Sequence, residues 1–338
     1  MDALRGIAIL LVTHVHVVDS VFAKFPNAPE ILKNITEPMA PLRMPILVFL
    51  SGLLVSGSIA KGSVKYFSGK LENIAYPFFL WTIIMYVIYM ARESYLGEPS
   101  PIILGEAMTV SPFHYLWFLY YIFIFYIIVY PLNKTAVLIT ASLCIAGNVA
   151  FGQHEYVRFT TLYIFFLLGT AIGGSMNSFS EKIRKTKPLL LMLSLFIALA
   201  FFAIHRASSS GQYNAFYSLS ALFIAPVLIR LAMSLEGTTF SRFFEFLGKG
   251  SLVIYLTHVP FAMTLPVLLK KYYPGNTVFV YPILMLSTMF FCIAMLFARK
   301  KYATISLLFS PKYWYEILYK LKKIFTPSTL NKIESNKD

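Results

Sequence analysis

Long apolar stretches alternate with short polar connections along most of this chain. A helix that crosses a membrane needs about 20 mostly apolar residues, whereas a membrane-spanning strand alternates polar and apolar positions over about 10. The runs here are long and continuous, so they predict helices and exclude a β-barrel. Ten candidate spans follow, at roughly residues 3–23, 42–60, 73–92, 114–132, 135–151, 158–176, 188–205, 214–233, 250–269 and 278–298.

The connections between these runs are too short to form a soluble domain, and the longest are residues 24–41 and 93–113. No internal repeat is apparent. The predicted fold is therefore an all-α, polytopic transmembrane helix bundle in one membrane domain, residues 1–298. A basic and aromatic tail, residues 299–338, is predicted to lie along the membrane surface as an amphipathic helix.

The composition supports an integral membrane protein. Apolar residues make up 58% of the chain and charged residues 13%, compared with about 45–50% and about 25% in soluble proteins. These values exclude a soluble globular enzyme, a disordered chain and a fibrous protein.

The net charge of +14 points to nucleic acid in a soluble protein, but basic residues in a membrane protein collect in its cytoplasmic loops. With a cytoplasmic N-terminus, 20 Lys and Arg lie on the cytoplasmic side. Eight lie outside: Lys24, Lys33, Arg43, Arg92, Arg158, Arg206, Lys270 and Lys271. Both termini are therefore predicted to be cytoplasmic, and no nucleic-acid partner is expected.

No motif in the sequence indicates a bound metal or cofactor. Cys144 and Cys292 both lie inside apolar runs, with no spacing typical of a metal site or a disulfide. A P-loop and the G-x-S-x-G motif are also missing from the sequence. Any chemistry is expected to use a histidine as general base.

The first span carries an unusual number of ionisable side chains. Arg5 and His16 are eleven residues apart, within about 20° of three full helical turns, so they share a face about 16 Å apart. His14 falls on the opposite face, and Asp19 is three residues after His16, within reach of its imidazole. Ionisable groups inside a span usually act in function, so His16 and Asp19 are the predicted catalytic pair. Alternatively, Arg5 snorkels to the interface and His16 only bonds a neighbouring helix.

Four other polar residues are candidates for binding. Lys70 lies in the connection before the third span, where a cation can pair with phosphate, although ordinary loop charge explains it equally. Ser51 can bond a substrate, but Ser51-Gly52 also permits close helix packing. Trp117 is either a binding residue or part of an interfacial aromatic belt. His258, inside the ninth span, serves either packing or a polar site.

Four segments in order resemble the acyltransferase-3 family of integral membrane acyltransferases. Residues 2–16 resemble its D-x-L-R-G opening and its R-x10-H motif, which Arg5 and His16 match. Residues 44–52 are similar to its M-P…F-x-S-G segment, and residues 114–119 to its W-F/Y-L stretch. Residues 247–258 are similar to its L-G-K-x-S…Y-L-x-H segment. One departure concerns two arginines that family members often carry before the third span, where this chain has Lys70 and Asn73.

The resemblance implies an enzyme that moves an acyl group, most often acetyl, from acyl-coenzyme A to a sugar hydroxyl. The acceptor is expected to be a surface glycan or a lipid-linked sugar, and coenzyme A a co-substrate rather than a bound cofactor. His16 takes the role of base, with Arg5 and Lys70 binding the donor and Ser51, Trp117 and His258 binding substrate. The expected location is a bacterial cytoplasmic membrane, among membrane lipid.

The alternative is a protein without acyltransferase chemistry: an exporter or flippase, or an accessory subunit of surface-polysaccharide synthesis. Ten spans with interior polar residues suit such a protein as well. The missing repeat and the clustering of ionisable groups on one helix argue against it.

Overall fold

Helices account for all the regular secondary structure in the described part of the chain. The computed structural model describes residues 1–96, 104–109, 115–150, 156–208, 213–272 and 277–312. Its helices in the first half of the chain are α1 Asp2–Lys24, α2 Ile31–Thr36, α3 Met44–Gly52, α4 Val55–Ile59, α5 Ser63–Lys70, α6 Tyr76–Leu96, α7 Leu104–Thr109, α8 Trp117–Val129 and α9 Lys134–Ala150. Those in the second half are α10 Tyr156–Gly173, α11 Met176–Lys185, α12 Pro188–Ala207, α13 Ala215–Ser234, α14 Thr239–Lys249, α15 Ser251–Tyr272, α16 Val280–Lys301 and α17 Ala303–Ser306.

The predicted all-α polytopic bundle is confirmed. Within the described ranges, eight helical segments are long and apolar enough to cross a membrane, and each coincides with a predicted span. The fourth and fifth predicted spans correspond to the shorter apolar helices α8 and α9. The total number of spans and the side on which the termini lie stay predictions.

The structure corrects the predicted bounds of the second and third spans. The second is broken between α3 and α4 at Leu53 and Leu54. The connection before the third span was expected to be a loop, but α5 and a π-helical turn, Leu71–Ala75, run straight into α6. Lys70 therefore lies on a helix. Hydropathy marks where an apolar stretch ends, whereas a helix continues for as long as its backbone bonds are satisfied.

Helix α1 lies at the centre of the bundle and contacts α3, α14, α15 and α16. Two glycines permit the close approach of α1 to α14. A Cβ built on Gly6 would collide with the backbone carbonyl of Phe244, and one on Gly248 with that of Asp2. The start of α1 and the second half of α14 thus meet backbone to backbone, as small residues allow in membrane helices.

Helices α3 and α10 pair in the same way. A Cβ on Gly52 would collide with the Phe166 carbonyl, and one on Gly169 with the Phe49 carbonyl. The close helix packing that Ser51-Gly52 permits in the sequence is therefore present in the structure. Because α3 also contacts α1, this pairing fixes the wall of the bundle that faces the first helix.

The bundle has two ends, each marked by an arginine. The Arg5 end holds the first turns of α1, the start of α6 and the end of α16. The Arg43 end holds the last turns of α1 and the 3-10 turn Glu37–Leu42. The sequence expectation of a cytoplasmic N-terminus makes the Arg5 end the cytoplasmic one.

The first part of the predicted tail is attached to the bundle. The Tyr76 hydroxyl donates to the Leu307 carbonyl at 2.7 Å, and the Trp81 indole donates to the Leu308 carbonyl at 2.8 Å. Phe309 is fully buried, and Lys312 pairs with Glu72 at 3.3 Å. Residues 302–312 thus cover the start of α6, while the rest of the predicted surface helix, 313–338, lies outside the described residues.

Candidate active site

Two histidines from distant parts of the chain meet in the interior. The imidazole rings of His16 on α1 and His258 on α15 lie 5.2 Å apart between centroids, tilted by 48°. Because α1 is continuous from Asp2 to Lys24, the sequence-derived relation between Arg5 and His16 on one face is preserved. The first and fourth motif segments therefore meet at this histidine pair.

The environment of His258 determines which of its nitrogens is protonated. Its Nδ1 lies 3.0 Å from the Ile254 carbonyl and donates to it, so Nε2 carries the lone pair. The ring is completely buried, and Nε2 has no hydrogen-bond partner among the described residues. A buried polar atom without a partner is costly and needs an explanation. Here it stands beside the predicted catalytic base.

One tyrosine of the third motif segment and one of the fourth complete the enclosure of His258. The rings of Tyr115 and Tyr255 lie 5.7 and 5.9 Å from the imidazole. Their hydroxyls are occupied elsewhere: Tyr115 donates to the Leu256 carbonyl at 2.9 Å, and Tyr255 donates to the Tyr115 carbonyl. These bonds hold α15 against the start of α8. His114, which opens this segment, lies outside the described residues.

His14 has a different role, as helix geometry predicts for the opposite face. The Thr36 hydroxyl donates to the Leu32 carbonyl at 2.6 Å, so its oxygen accepts from His14 Nε2 at 2.9 Å. The Tyr281 hydroxyl then donates to His14 Nδ1 at 2.6 Å. Both nitrogens of His14 are satisfied within the protein, so this histidine is structural.

The predicted pairing of Asp19 with His16 stays a prediction. Asp19 is exposed and lines a cleft at the Arg43 end, together with Val15 and Val18 of the same helix. His16 is half-buried and contacts α15 through His258.

At the Arg5 end, three predicted binding residues converge on a tyrosine. Lys70 Nζ lies 3.6 Å from the centre of the Tyr126 ring and donates to the Ser58 hydroxyl at 3.3 Å. The Tyr126 hydroxyl donates to the backbone carbonyl of Ser51 at 2.7 Å, and Arg5 interacts with Tyr126 electrostatically. Arg5 also donates to Asp2 at 3.2 Å, with both side chains partly exposed. Arg5, Ser51 and Lys70 thus belong to one cationic cluster.

Sequence reasoning missed Tyr126 and Tyr66, which hold this cluster in place. The Tyr66 hydroxyl donates to the Tyr126 carbonyl at 2.7 Å, and its ring is 5.2 Å from Lys70 Nζ. Tyr126 was counted as an apolar residue of the fourth predicted span, and Tyr66 fell in the connection between the second and third predicted spans. The available signal was the hydroxyl of Tyr126 within the highly apolar run of α8, where a buried hydroxyl requires a partner.

The structure changes the interpretation of Ser51 and Trp117, which were predicted to bind substrate. The Ser51 hydroxyl donates to the Leu47 carbonyl of its own helix at 2.8 Å, so Ser51 contributes its backbone carbonyl to the cluster. Trp117 starts α8, and the Arg158 guanidinium lies 4.8 Å from its ring centre. Trp117 is therefore part of an aromatic and cationic surface rather than of the histidine pair.

The unpartnered nitrogen of His258 gives a first prediction. His258→Gln should lower kcat about tenfold, because a polar contact that positions the base is worth about 1.4 kcal/mol, at the upper end of an ordinary hydrogen bond. The KM for the acyl donor should not change. His258→Phe is the matched control, since it keeps an aromatic ring but no nitrogen. Equal loss in both variants supports a role for the nitrogen, whereas full activity of the phenylalanine variant would reduce His258 to packing.

The described residues contain no group of three or more His, Cys, Asp or Glu side chains placed to hold a metal ion.

Comparison with known proteins gives one result for the chain as a whole. A family model described as an acyltransferase domain, that of the acyltransferase-3 family, matches residues 1–297. No curated protein and no solved structure matches the chain.

Proposed function

This chain belongs to the acyltransferase-3 family of integral membrane acyltransferases, and on that premise we propose which acyl transfer it performs. It moves an acyl group, with acetyl the first choice, from acyl-coenzyme A to a hydroxyl of a cell-surface or lipid-linked sugar. The membrane is a bacterial cytoplasmic membrane. The observation that carries the proposal is the contact between the half-buried His16 and the fully buried His258, which supplies a base inside the helix bundle.

In the proposed reaction His16 acts as the general base. The acceptor hydroxyl attacks the thioester carbonyl while His16 accepts the hydroxyl proton. The carbon–sulfur bond then breaks, and the thiolate leaves and takes the proton to give free coenzyme A. The products are an O-acylated sugar and the thiol, so atoms and charge balance. His258 contacts the imidazole of His16 and positions it, and Asp19 is retained as its proposed carboxylate partner.

The cationic cluster at the Arg5 end is the proposed site for the donor phosphates. Arg5 and Lys70 supply two positive charges to this site, whereas Lys61 lies within electrostatic range of Lys70 and is not assigned a contact with the donor. Helical rise places Arg5 about 16 Å from His16, a distance that the extended pantetheine arm of coenzyme A spans. The donor would thus bind with its phosphates at the Arg5 end and its thioester at the histidine pair.

Removal of either charge should weaken donor binding selectively. Arg5→Ala and Lys70→Gln should each raise the KM for acyl-coenzyme A about tenfold, because a hydrogen bond to a charged group is worth about 1.5–3 kcal/mol. The kcat at saturating donor should fall less. Steady-state kinetics on protein in lipid nanodiscs measure both constants.

Lys61→Gln is the matched control, because it removes an exposed charge near the same cluster. It should raise the KM less than twofold. If Lys61→Gln and Lys70→Gln have equal effects, the region acts only through its general positive potential and Lys70 has no specific contact with the donor.

The activity itself is tested in cells on the esters of surface glycans. Three strains are compared: a deletion, the deletion with the wild-type gene restored, and the deletion with His16→Ala at equal membrane level. The proposal predicts normal amounts of glycan in all three, with O-acyl groups lost from the deletion and from the His16→Ala strain. Loss of the glycan from the surface, without any dependence on esters, would instead indicate an exporter.

A further inference from the structure

A second cationic site lies at the opposite end of the bundle from Arg5. A cleft of about 360 Å³ opens between the second half of α1, the 3-10 turn Glu37–Leu42 and the end of α12. We call it the Arg43 cleft. Its charged and titratable lining consists of Asp19, Lys33, Glu37, Arg43, His205 and Arg206.

Arg43 is the unusual member of this group. Only 8% of its surface is exposed, although it lines the cleft. In the part of the chain that the structure describes, no carboxylate pairs with its guanidinium and no acceptor bonds it. Arginine stays charged at every physiological pH, so a buried guanidinium without a counter-ion is a costly arrangement. The site is therefore prepared for a negative charge that the described residues do not supply.

The other charges of the cleft do not fulfil this need. Glu37 is already engaged in an ion pair with Arg206. The Lys33 ammonium lies over the ring of Phe22 at 4.1 Å and adds a further positive charge. Asp19 is exposed where it lines the cleft, and no ion pair between it and Arg43 is present among the described residues. The cleft thus keeps an excess of positive charge, centred on Arg43.

Tyr213 lies within electrostatic range of Arg43 and of a second arginine, Arg158. Burial raises the pKa of Tyr213 to about 12, and the positive charges of Arg43 and Arg158 oppose this rise. Both arginines are therefore close to the same tyrosine. The Arg158 guanidinium lies over Trp117 and donates to the Tyr121 hydroxyl at 3.4 Å. Flat aromatic faces next to guanidinium groups are suited to a sugar that carries a charge.

Resting on the proposed function, we infer that the Arg43 cleft binds an anionic group of the acceptor, a carboxylate or a phosphate attached to the sugar. The cleft meets α1 at Val15 and Val18, on either side of His16 in the sequence, so it lies at the depth of the base. An acceptor anchored through its charge at Arg43 presents a neighbouring hydroxyl to His16. Donor and acceptor then approach the histidine pair from opposite ends of the bundle.

The test measures acceptor binding without turnover. Protein in nanodiscs of zwitterionic lipid, with no acyl donor present, is titrated by calorimetry with three probes. These are a hyaluronan tetrasaccharide, which carries carboxylates, a prenyl diphosphate bearing N-acetylglucosamine, and the neutral chitotetraose. The wild type should bind at least one charged probe ten or more times more tightly than chitotetraose, and the tighter of the two identifies the source of the charge.

Arg43→Gln should abolish this preference and leave the weak binding of chitotetraose unchanged. Lys271→Gln is the control, since it removes an exposed positive charge that does not line the cleft; it should keep the preference within twofold. The melting temperature of Arg43→Gln should equal or exceed that of the wild type, because the substitution removes an uncompensated buried charge. If Arg43→Gln does not fold, Arg43→Lys, which keeps the charge but loses the planar fork, should retain part of the preference.

Two results would overturn the inference: equal binding of charged and neutral probes by the wild type, or an undiminished preference in Arg43→Gln. The proposed function is judged separately, by esters formed when acetyl-coenzyme A is added. Charge-selective binding, with no ester product formed and no acyl donor consumed, would contradict the proposed acyl transfer. It would leave the inferred anion site in place. Equal ester formation on charged and neutral sugars would support the proposed acyl transfer and contradict the inferred anion site.

Discussion

Replacing His16 by glutamine should nearly abolish acyl transfer and leave the protein folded and able to bind its donor. Glutamine fills a similar volume and still forms hydrogen bonds, but it cannot accept a proton in the pH range in which imidazole does. A positioned general base contributes roughly 10²–10⁴-fold to a reaction rate, so kcat should fall by this factor. Single-turnover acetyl transfer measures the chemical step, and equilibrium titration with coenzyme A measures donor binding.

His14→Gln is the control for this experiment, because His14 lies two residues away on the same helix. Its two nitrogens are bonded to Tyr281 and Thr36, so its replacement should lower stability and leave kcat per folded molecule within about threefold of the wild type. If His16→Gln keeps more than a tenth of wild-type turnover, His16 is not the base. A large loss of kcat in folded His14→Gln would move the catalytic role to the other face of α1.

The second large effect is expected at the contact between α1 and α14. Gly248→Ala places a methyl group where the backbone carbonyl of Asp2 now lies, so the two helices must separate. A backbone cannot yield as a flexible side chain does. Overpacking of this kind costs on the order of 3 kcal/mol and should lower the melting temperature in detergent by roughly 5–10 °C.

Gly147→Ala makes the same chemical change without the collision. No atom lies within 4 Å of a Cβ built on Gly147, which is also in a helix. Alanine favours a helix over glycine by about 1 kcal/mol, so this variant should be as stable as the wild type or slightly more stable. Equal behaviour of the two variants would contradict the close approach of α1 and α14.

The sequence predicted the features that depend on a single helix. Apolar run length gave the positions of the helices, and the helical repeat separated His16 from His14 before any contact was known. The structure bears out that separation, since His14 is enclosed by Tyr281 and Thr36 while His16 contacts α15. These predictions succeeded because 3.6 residues per turn fixes which side chains of one helix share a face.

Contacts between helices were beyond this reasoning. No rule of spacing brings His258 to His16 or Lys70 to Tyr126, because their relation depends on how separate helices pack. Tyr126 was missed because hydropathy counts tyrosine as apolar and ignores its hydroxyl, and Tyr66 was missed because it lies in the connection between two predicted spans. Arg43 was counted among the eight outer charges, since the sequence does not show that its side chain is buried in a cleft.

The distance in sequence between His16 and His258 has a consequence for how the enzyme is made. These residues belong to the first and the ninth predicted spans, so α1 enters the membrane long before α15 is synthesised. The same holds for Tyr76 and Trp81, whose hydrogen-bond acceptors at Leu307 and Leu308 are synthesised more than 220 residues later. During biosynthesis the early helices must keep these polar groups in contact with water, lipid headgroups or a chaperone. A nascent chain thus cannot form the proposed catalytic centre until almost all of the membrane domain has been inserted.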